Sequence, residues 1–279
     1  MGMVLQTNVS SMSAQRHLGK TSRALNSNIA KLSSGFRINS AADDAAGLAI
    51  SEEMKADIRS LAQAERNSND AISMIQTAEG AMGEIHGVLG RMRELAVQAS
   101  SDGINDTQRG HLDTEFQELE AEIDRIAGVT KYNGNALLDG TMAATFQVGA
   151  DSGETLSVSI TQDFSAAGLG TTPGTSDLST VDLTSRTNAD ASLAEIDAAI
   201  SQVSSSRASV GATQNRLEVT IDNLSVTREN LSAANSRIRD TDVASEMASM
   251  TKNQILMQAG TSMLAQANSM PQTALGLLG

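Results

Sequence analysis

Residues 71–99 read AISMIQTAEGAMGEIHGVLGRMRELAVQA, and in them Ile75, Ala78, Met82, Ile85, Leu89, Met92, Ala96 and Ala99 recur at steps of three and four. That spacing puts all eight on one stripe of an α-helix, because residues three and four apart are neighbours on its surface. No proline interrupts the chain from Asp43 to Ser100. The periodicity therefore predicts a helix of about 60 residues, roughly 90 Å long at the helical rise. Such a helix is too long for a globule and needs a partner with a matching stripe.

Two partners are visible. After a turn at Ser101-Asp102-Gly103 and Asn105-Asp106, a second helix shows Leu112, Phe116, Leu119, Ile123 and Ile126. Its other face carries Asp113, Glu115, Glu118, Glu120, Glu122 and Asp124, read as a solvated acidic surface. From Asn188 onward, Ile200, Val203, Val210, Leu217, Ile221, Leu224, Leu231 and Ile238 share a seam with Arg207, Gln214, Arg228 and Asn235. Polar residues at seam positions cost stability but fix register and partner.

The two chain ends differ from this interior. The first 40 residues hold no Asp or Glu, and Leu18, Leu25 and Leu32 repeat every seven, joined by Ile29 and Phe36. Near the other end, Val243, Met250, Met257 and Leu264 repeat every seven, with Asp242, Glu246 and Lys252 the only charges after residue 240. Met247, Met250, Met257, Met263 and Met270 make this end rich in adaptable apolar side chains. Between the first seam and the long helix, Ser40 is expected to cap that helix, with Asp43 in capping-box position.

From about residue 132 the composition turns to Gly, Ser, Thr, Asn and Asp. Phe146/Val148 and Leu156/Val158/Ile160 alternate around Asp151-Ser152-Gly153, which predicts a β-hairpin. Residues 166–186 show no firm pattern and read as loop, a spacer that a flexible linker could replace. The expected fold is mainly α, a long antiparallel coiled-coil-like helical bundle or rod with a small central β-hairpin region. Its expected parts are 1–40 with 239–279, 41–140 with 188–238, and 141–187.

Composition narrows the function. A formal charge of −13 over 279 residues opposes nucleic-acid binding. The absence of cysteine excludes disulfides, thiolate metal sites and thiol nucleophiles. Only 2% of residues are aromatic, which predicts a thin core of Ala, Leu, Ile and Met. No apolar run approaches the roughly 18 residues of a membrane span, and the start lacks a signal-peptide layout, which taken alone predicts a cytoplasmic protein. His17, His86 and His111 have no second ligand at metal spacing, and Gly168, Gly170 and Gly174 lack the lysine of a phosphate loop. The sequons at Asn8, Asn223 and Asn230 fall in helical seams. No metal, cofactor or enzymatic site is expected.

Several blocks carry a family resemblance. They are Leu32-Ser33-Ser34-Gly35-Phe36-Arg37-Ile38-Asn39-Ser40, Asp43-Asp44-Ala45-Ala46-Gly47-Leu48-Ala49-Ile50-Ser51, Arg93-Glu94-Leu95-Ala96-Val97-Gln98, and Glu122-Ile123-Asp124-Arg125-Ile126-Ala127 with Tyr132-Asn133-Gly134. Near the C-terminus they are Glu229-Asn230-Leu231-Ser232-Ala233-Ala234-Asn235-Ser236-Arg237-Ile238-Arg239-Asp240-Thr241-Asp242 and Leu264-Ala265-Gln266-Ala267-Asn268. On these blocks the sequence resembles bacterial flagellin over about residues 1–140 and 188–279. The family usually has Leu at the position of Phe36 and Phe at that of Tyr132.

The resemblance implies a structural subunit that polymerises into the flagellar filament, with a hook–filament junction protein as the alternative. It implies export through the flagellar type III channel without a cleaved signal, and so an extracellular destination in place of the cytoplasmic one. Implied partners are further copies of the chain, an export chaperone at residues 243–264, and hook-associated and cap proteins. A host Toll-like receptor is a further implied partner, recognising positions that match Arg91, Leu95 and Glu115. Filament self-assembly would rest on Leu18, Leu25, Leu32, Phe36, Val243, Met250, Met257 and Leu264. Because one partner helix covers only one side of each end, the ends are expected to become helical only on assembly.

Overall fold

The helix boundaries follow from local chemistry at their ends. In the computed structural model, which describes residues 7–170 and 177–275, the helices are α1 (Val9–Ser34), α2 (Ala45–Ala99), α3 (Asp106–Val129), α4 (Arg186–Arg239) and α5 (Val243–Leu275). The Asn8 side chain accepts the Ser11 N–H at 2.9 Å to start α1, and Gly35 ends it in a left-handed conformation at φ 74°. For α2 the expected cap is corrected. Asp43 Oδ2 accepts from the N–H groups of Asn39 and Ser40 and from the Ser40 hydroxyl, while Asp44 Oδ1 accepts the Gly47 N–H at 2.9 Å. A carboxylate is the stronger acceptor, so Asp43 closes the turn on itself and Asp44 is left to cap the helix.

At the other end of α2 a buried cation does the capping. Arg109 of α3 donates from Nε to the Ala99 carbonyl and from Nη2 to that of Ser101, both at 2.9 Å, where the helix presents unpaired carbonyls. The reciprocal pair of Asn105 and Gln108 starts α3 as a capping box. The periodicity that seemed to run from Asn188 to the chain end is broken at residues 240–242, where Asp242 Oδ1 accepts the N–H groups of Ala244 and Ser245. Asp-Thr-Asp is cap composition, and it outweighs a heptad pattern that reads straight through it.

Chain contacts divide the protein into two compact units, residues 59–228 and residues 1–58 with 229–279. These boundaries differ from the three expected parts, and the β region does not form a unit of its own. In residues 59–228 the α2 stripe is buried as predicted, from Ile75 to Ala99. It shares one core with Phe116 and Ile123 of α3 and with Ile196, Ala199, Val203, Val210 and Leu217 of α4. Two of the polar seam residues of α4 form ion pairs with α2, Arg228 with Glu65 at 2.8 Å and Arg207 with Glu79 at 3.7 Å.

The strands β1 (Lys131–Tyr132) and β2 (Asn135–Ala136) form a tight hairpin whose turn residues, Asn133 and Gly134, both have positive φ, as two-residue hairpins require. The predicted hairpin is β3 (Met142–Gln147) antiparallel to β4 (Thr155–Ile160), in a register that sets Met142 opposite Ile160 and Gln147 opposite Thr155. Leu156, Val158 and Ile160 point into the common core.

The stretch read as spacer is corrected. Phe164, Leu169, Leu178 and Leu183 are fully buried in that same core, and residues 178–180 form a single 3-10 turn. Residues 171–176, with Pro173 and Gly174, lie outside the described residues. Sparse apolar residues without periodicity gave no pattern to read, yet each one is used. The acidic face of α3 is corrected with it. Asp124 Oδ1 accepts the Ala166 N–H at 2.8 Å and Asp113 Oδ1 that of Leu183 at 2.7 Å, so the helix holds both ends of the stretch.

Glu120 lies between those two carboxylates, with Oε2 buried and without a hydrogen-bond partner among the described residues. Burial pushes its carboxyl above the ordinary range, and the charges of Asp124, Asp177 and Asp113 push it further.

Replacing the segment 166–182 by a linker would thus strip the core. Leu169→Ala and Leu178→Ala, both inside the segment, are each expected to cost about 2–5 kcal/mol of stability in chemical unfolding. Values near zero would restore the spacer reading. Glu120 makes a separate prediction. A carboxyl whose folded-state pKa is raised binds its proton more tightly when folded, so its cost is full above that value and fades as pH falls toward the ordinary 4.5. Glu120→Gln should melt higher than the parent at pH 8, with the gap closing on acidification. A gap independent of pH would contradict this.

Candidate functional site

Neither chain end can bury its seam alone, and in the structure each covers one side of the other. Helices α1 and α5 pair antiparallel: Asn8 Nδ2 donates to the Ala267 carbonyl and Ser11 Oγ to Asn268 Oδ1, both at 2.8 Å. Asn28, about three-quarters of the way along α1, accepts from Asn253 Nδ2 at 2.8 Å and donates to Glu246. Leu18, Leu25 and Leu32 are half-buried, as are Met250, Met257 and Leu264. The helices come close at Gly260, where an added Cβ would sit 3.1 Å from Leu18 Cδ1. The side chain of Asn8 is fully engaged in its cap and this bond, which fits the structural reading of its sequon.

Phe36 is half-buried beneath Arg239, whose guanidinium carbon lies 4.7 Å from the ring centre, a cation–π contact. Around it the two connections run side by side, with Arg37 N–H donating to the Arg239 carbonyl at 2.6 Å and Thr241 N–H to that of Gly35 at 3.0 Å. Arg239 also pairs with Glu52 of α2. The adjoining Ile38 is buried, and it explains Gly47: any Cβ there would come within 2.7 Å of Ile38 Cδ1.

One expected seam residue is not in the seam. Val243, the first residue of α5, is 57% exposed. On the uncovered outer sides of the pair several large apolar residues stay exposed among polar ones: Val9, Met12 and Ile29 on α1, and Met247, Ile255, Leu256 and Met263 on α5. Sequence periodicity found the covered stripe and missed these residues, although Ile255-Leu256 could have signalled them. The side chain of Met270 lies outside the described residues, as do Met1, Met3, Val4 and Leu5.

The second candidate surface lies on residues 59–228. Arg91 of α2 donates from Nε and Nη2 to Glu115 Oε1 of α3, at 2.9 and 2.8 Å, and from Nη1 to Glu94 at 2.9 Å. These bonds to Glu94 and Glu115 raise the already high pKa of the guanidinium. Leu95 stands apart from that exposed pair. It is 1% exposed and belongs to the core. Among the described residues no three His, Cys, Asp or Glu side chains gather as a metal site, and no helix is long and apolar enough to cross a membrane.

Fold and surfaces together define a mainly helical structural protein whose paired ends keep large apolar residues uncovered. The sequence matches the bacterial flagellin N-terminal helical region over residues 5–143 and the bacterial flagellin C-terminal helical region over residues 193–278. It is 49% identical to a flagellin of Halalkalibacterium halodurans, over 99% of this chain and 100% of that one. With a flagellin of Bacillus subtilis it shares 45% identity, again over 99% and 100% of the two chains. The crystal structure of Bacillus cereus flagellin aligns at 33% identity with a TM-score of 0.49, covering 61% of this chain and 94% of that one. The chain belongs to the bacterial flagellin family.

Proposed function

We propose that this chain is a filament subunit that polymerises with copies of itself outside the cell. The observation that carries the reading is the α1–α5 pair, half-covered, with large apolar residues exposed on its outer sides and almost no charge on α5. Exposed apolar residues are stabilised by burial against neighbours, and a scarcity of charge lowers the desolvation cost of that packing. The stripe of Leu18, Leu25, Leu32 and Phe36 with Met250, Met257 and Leu264 holds the pair, and the outer faces receive neighbouring subunits. The parts 1–40 and 239–279 form the inner layer of the filament. Before assembly the ends are largely unpaired, which suits passage through the type III channel and leaves residues 243–264 for an export chaperone. Cap and hook-associated proteins meet the same ends. A hook–filament junction protein would share the terminal helices and differ in not growing indefinitely.

Recognition by a host Toll-like receptor is a second role of the free subunit, favoured by the exposed Arg91–Glu115 pair. Arg91 and Glu115 are the contact groups, and Leu95 acts through the core.

Seeded growth followed by electron microscopy tests the first reading, with filaments of unlimited length expected. Amide protection across residues 9–34 should rise on assembly; strong protection in dilute monomer would mean that the ends fold alone. Filaments that stop after a few subunits would instead favour the junction protein. For the second role, Arg91→Asp should sharply lower receptor signalling with little change in melting temperature, since exposed ion pairs contribute little to stability. Leu95→Ala should lower both, costing about 2–5 kcal/mol of stability. Full signalling by Arg91→Asp would remove the role.

A further inference from the structure

Seven of the 13 methionines contrast sharply by place in the fold. Met74, Met82, Met92 and Met142 are buried in the core of residues 59–228. Met12, Met247 and Met263, on the α1–α5 pair, are 60%, 44% and 66% exposed. Met263 also lines a groove of about 770 Å³ between the two helices, whose rim includes the exposed Val9 and Leu256. With no cysteine in the chain, these thioethers are its most readily oxidised exposed groups.

We propose that Met12, Met247 and Met263 are separate oxidation-sensitive positions that together control whether a free subunit joins the polymer, an inference that rests on the filament reading above. The reagent is a peroxide. A sulfur lone pair attacks one peroxide oxygen, the S–O bond forms as the O–O bond breaks, and the departing oxygen leaves as water. The sulfur is oxidised by two electrons to the sulfoxide and hydrogen peroxide is reduced. The product carries a strong acceptor oxygen where an apolar, deformable group stood. A neighbouring subunit covering that face must desolvate the oxygen without supplying a donor, which opposes association. Once covered, the same thioethers are shielded, so only the unassembled chain is sensitive.

The full chain, as monomer and as preformed filament, would be treated with hydrogen peroxide and each methionine followed by peptide mass spectrometry. In monomer, Met12, Met247 and Met263 should convert at least tenfold faster than Met74, Met82 and Met92, and in filament they should slow by a similar factor. Monomer carrying the three sulfoxides should elongate sheared filament seeds at least tenfold more slowly than untreated monomer. The variant Met12→Leu/Met247→Leu/Met263→Leu, which conserves apolar volume, should elongate normally both before and after treatment. Undiminished growth of fully oxidised parent chain would overturn the proposal, as would equal inhibition of the triple variant, or unchanged oxidation rates in filament. Untreated monomer that fails to grow on seeds would show that the filament reading is at fault, and the proposal would fall with it.

Discussion

The seam that α2 shares with α3 and α4 is the contact on which residues 59–228 depend. α3 follows α2 directly in the chain, but α2 and α4 are separated by more than 80 residues of sequence. Closing so long a loop costs entropy before any contact forms, so the intervening chain must contribute burial of its own. It does so through Leu156, Val158 and Ile160 of β4 and through Phe164, Leu169, Leu178 and Leu183, all in the same core as Ile85 and Val203. A stretch built as a free spacer would add loop entropy and return nothing.

Polar groups in and around the seams set alignment. Arg207 and Arg228 of α4 reach Glu79 and Glu65 of α2, and Asn235 donates to the Ser51 carbonyl at 2.9 Å. Partly exposed pairs of this kind add little stability, but a helix shifted by one turn would lose all of them together. The α1–α5 pair uses the same device with Asn8, Asn28, Asn253 and Asn268 in place of ions. Apart from the bond of Asn28 to Glu246, these amides align two helices without charges that a later-arriving neighbour would have to desolvate.

That choice accounts for the odd composition of the chain ends. Only one side of each helix is covered in the single chain, and the open side mixes Ser, Thr, Asn, Gln and Ala with exposed Val9, Met12, Ile29, Met247, Ile255, Leu256 and Met263. Methionine and leucine adapt to a partner's surface with little strain. Phe36 under Arg239 then fixes the two connections at the root of the pair, in a position where the family usually carries Leu.

The sequence alone determined the long helices, the central hairpin and the covered stripe of the ends, because 3.6-residue and two-residue periodicities report which side of an element is buried. It also determined the family, through blocks whose residues serve identifiable contacts, such as Gly47 against Ile38 and Asn235 on Ser51. Only the tertiary structure decided the rest. Aperiodic residues such as Phe164 and Leu178 leave no pattern to read, and whether Asp113 and Asp124 face water or a backbone N–H depends on where a distant segment docks. Val243 fits the heptad yet stays exposed, and Leu95 is buried because its stripe faces the core, while Arg91 and Glu115 are exposed. Periodicity fixes the direction a side chain points along its own helix. What it meets there is set by residues far away in the chain.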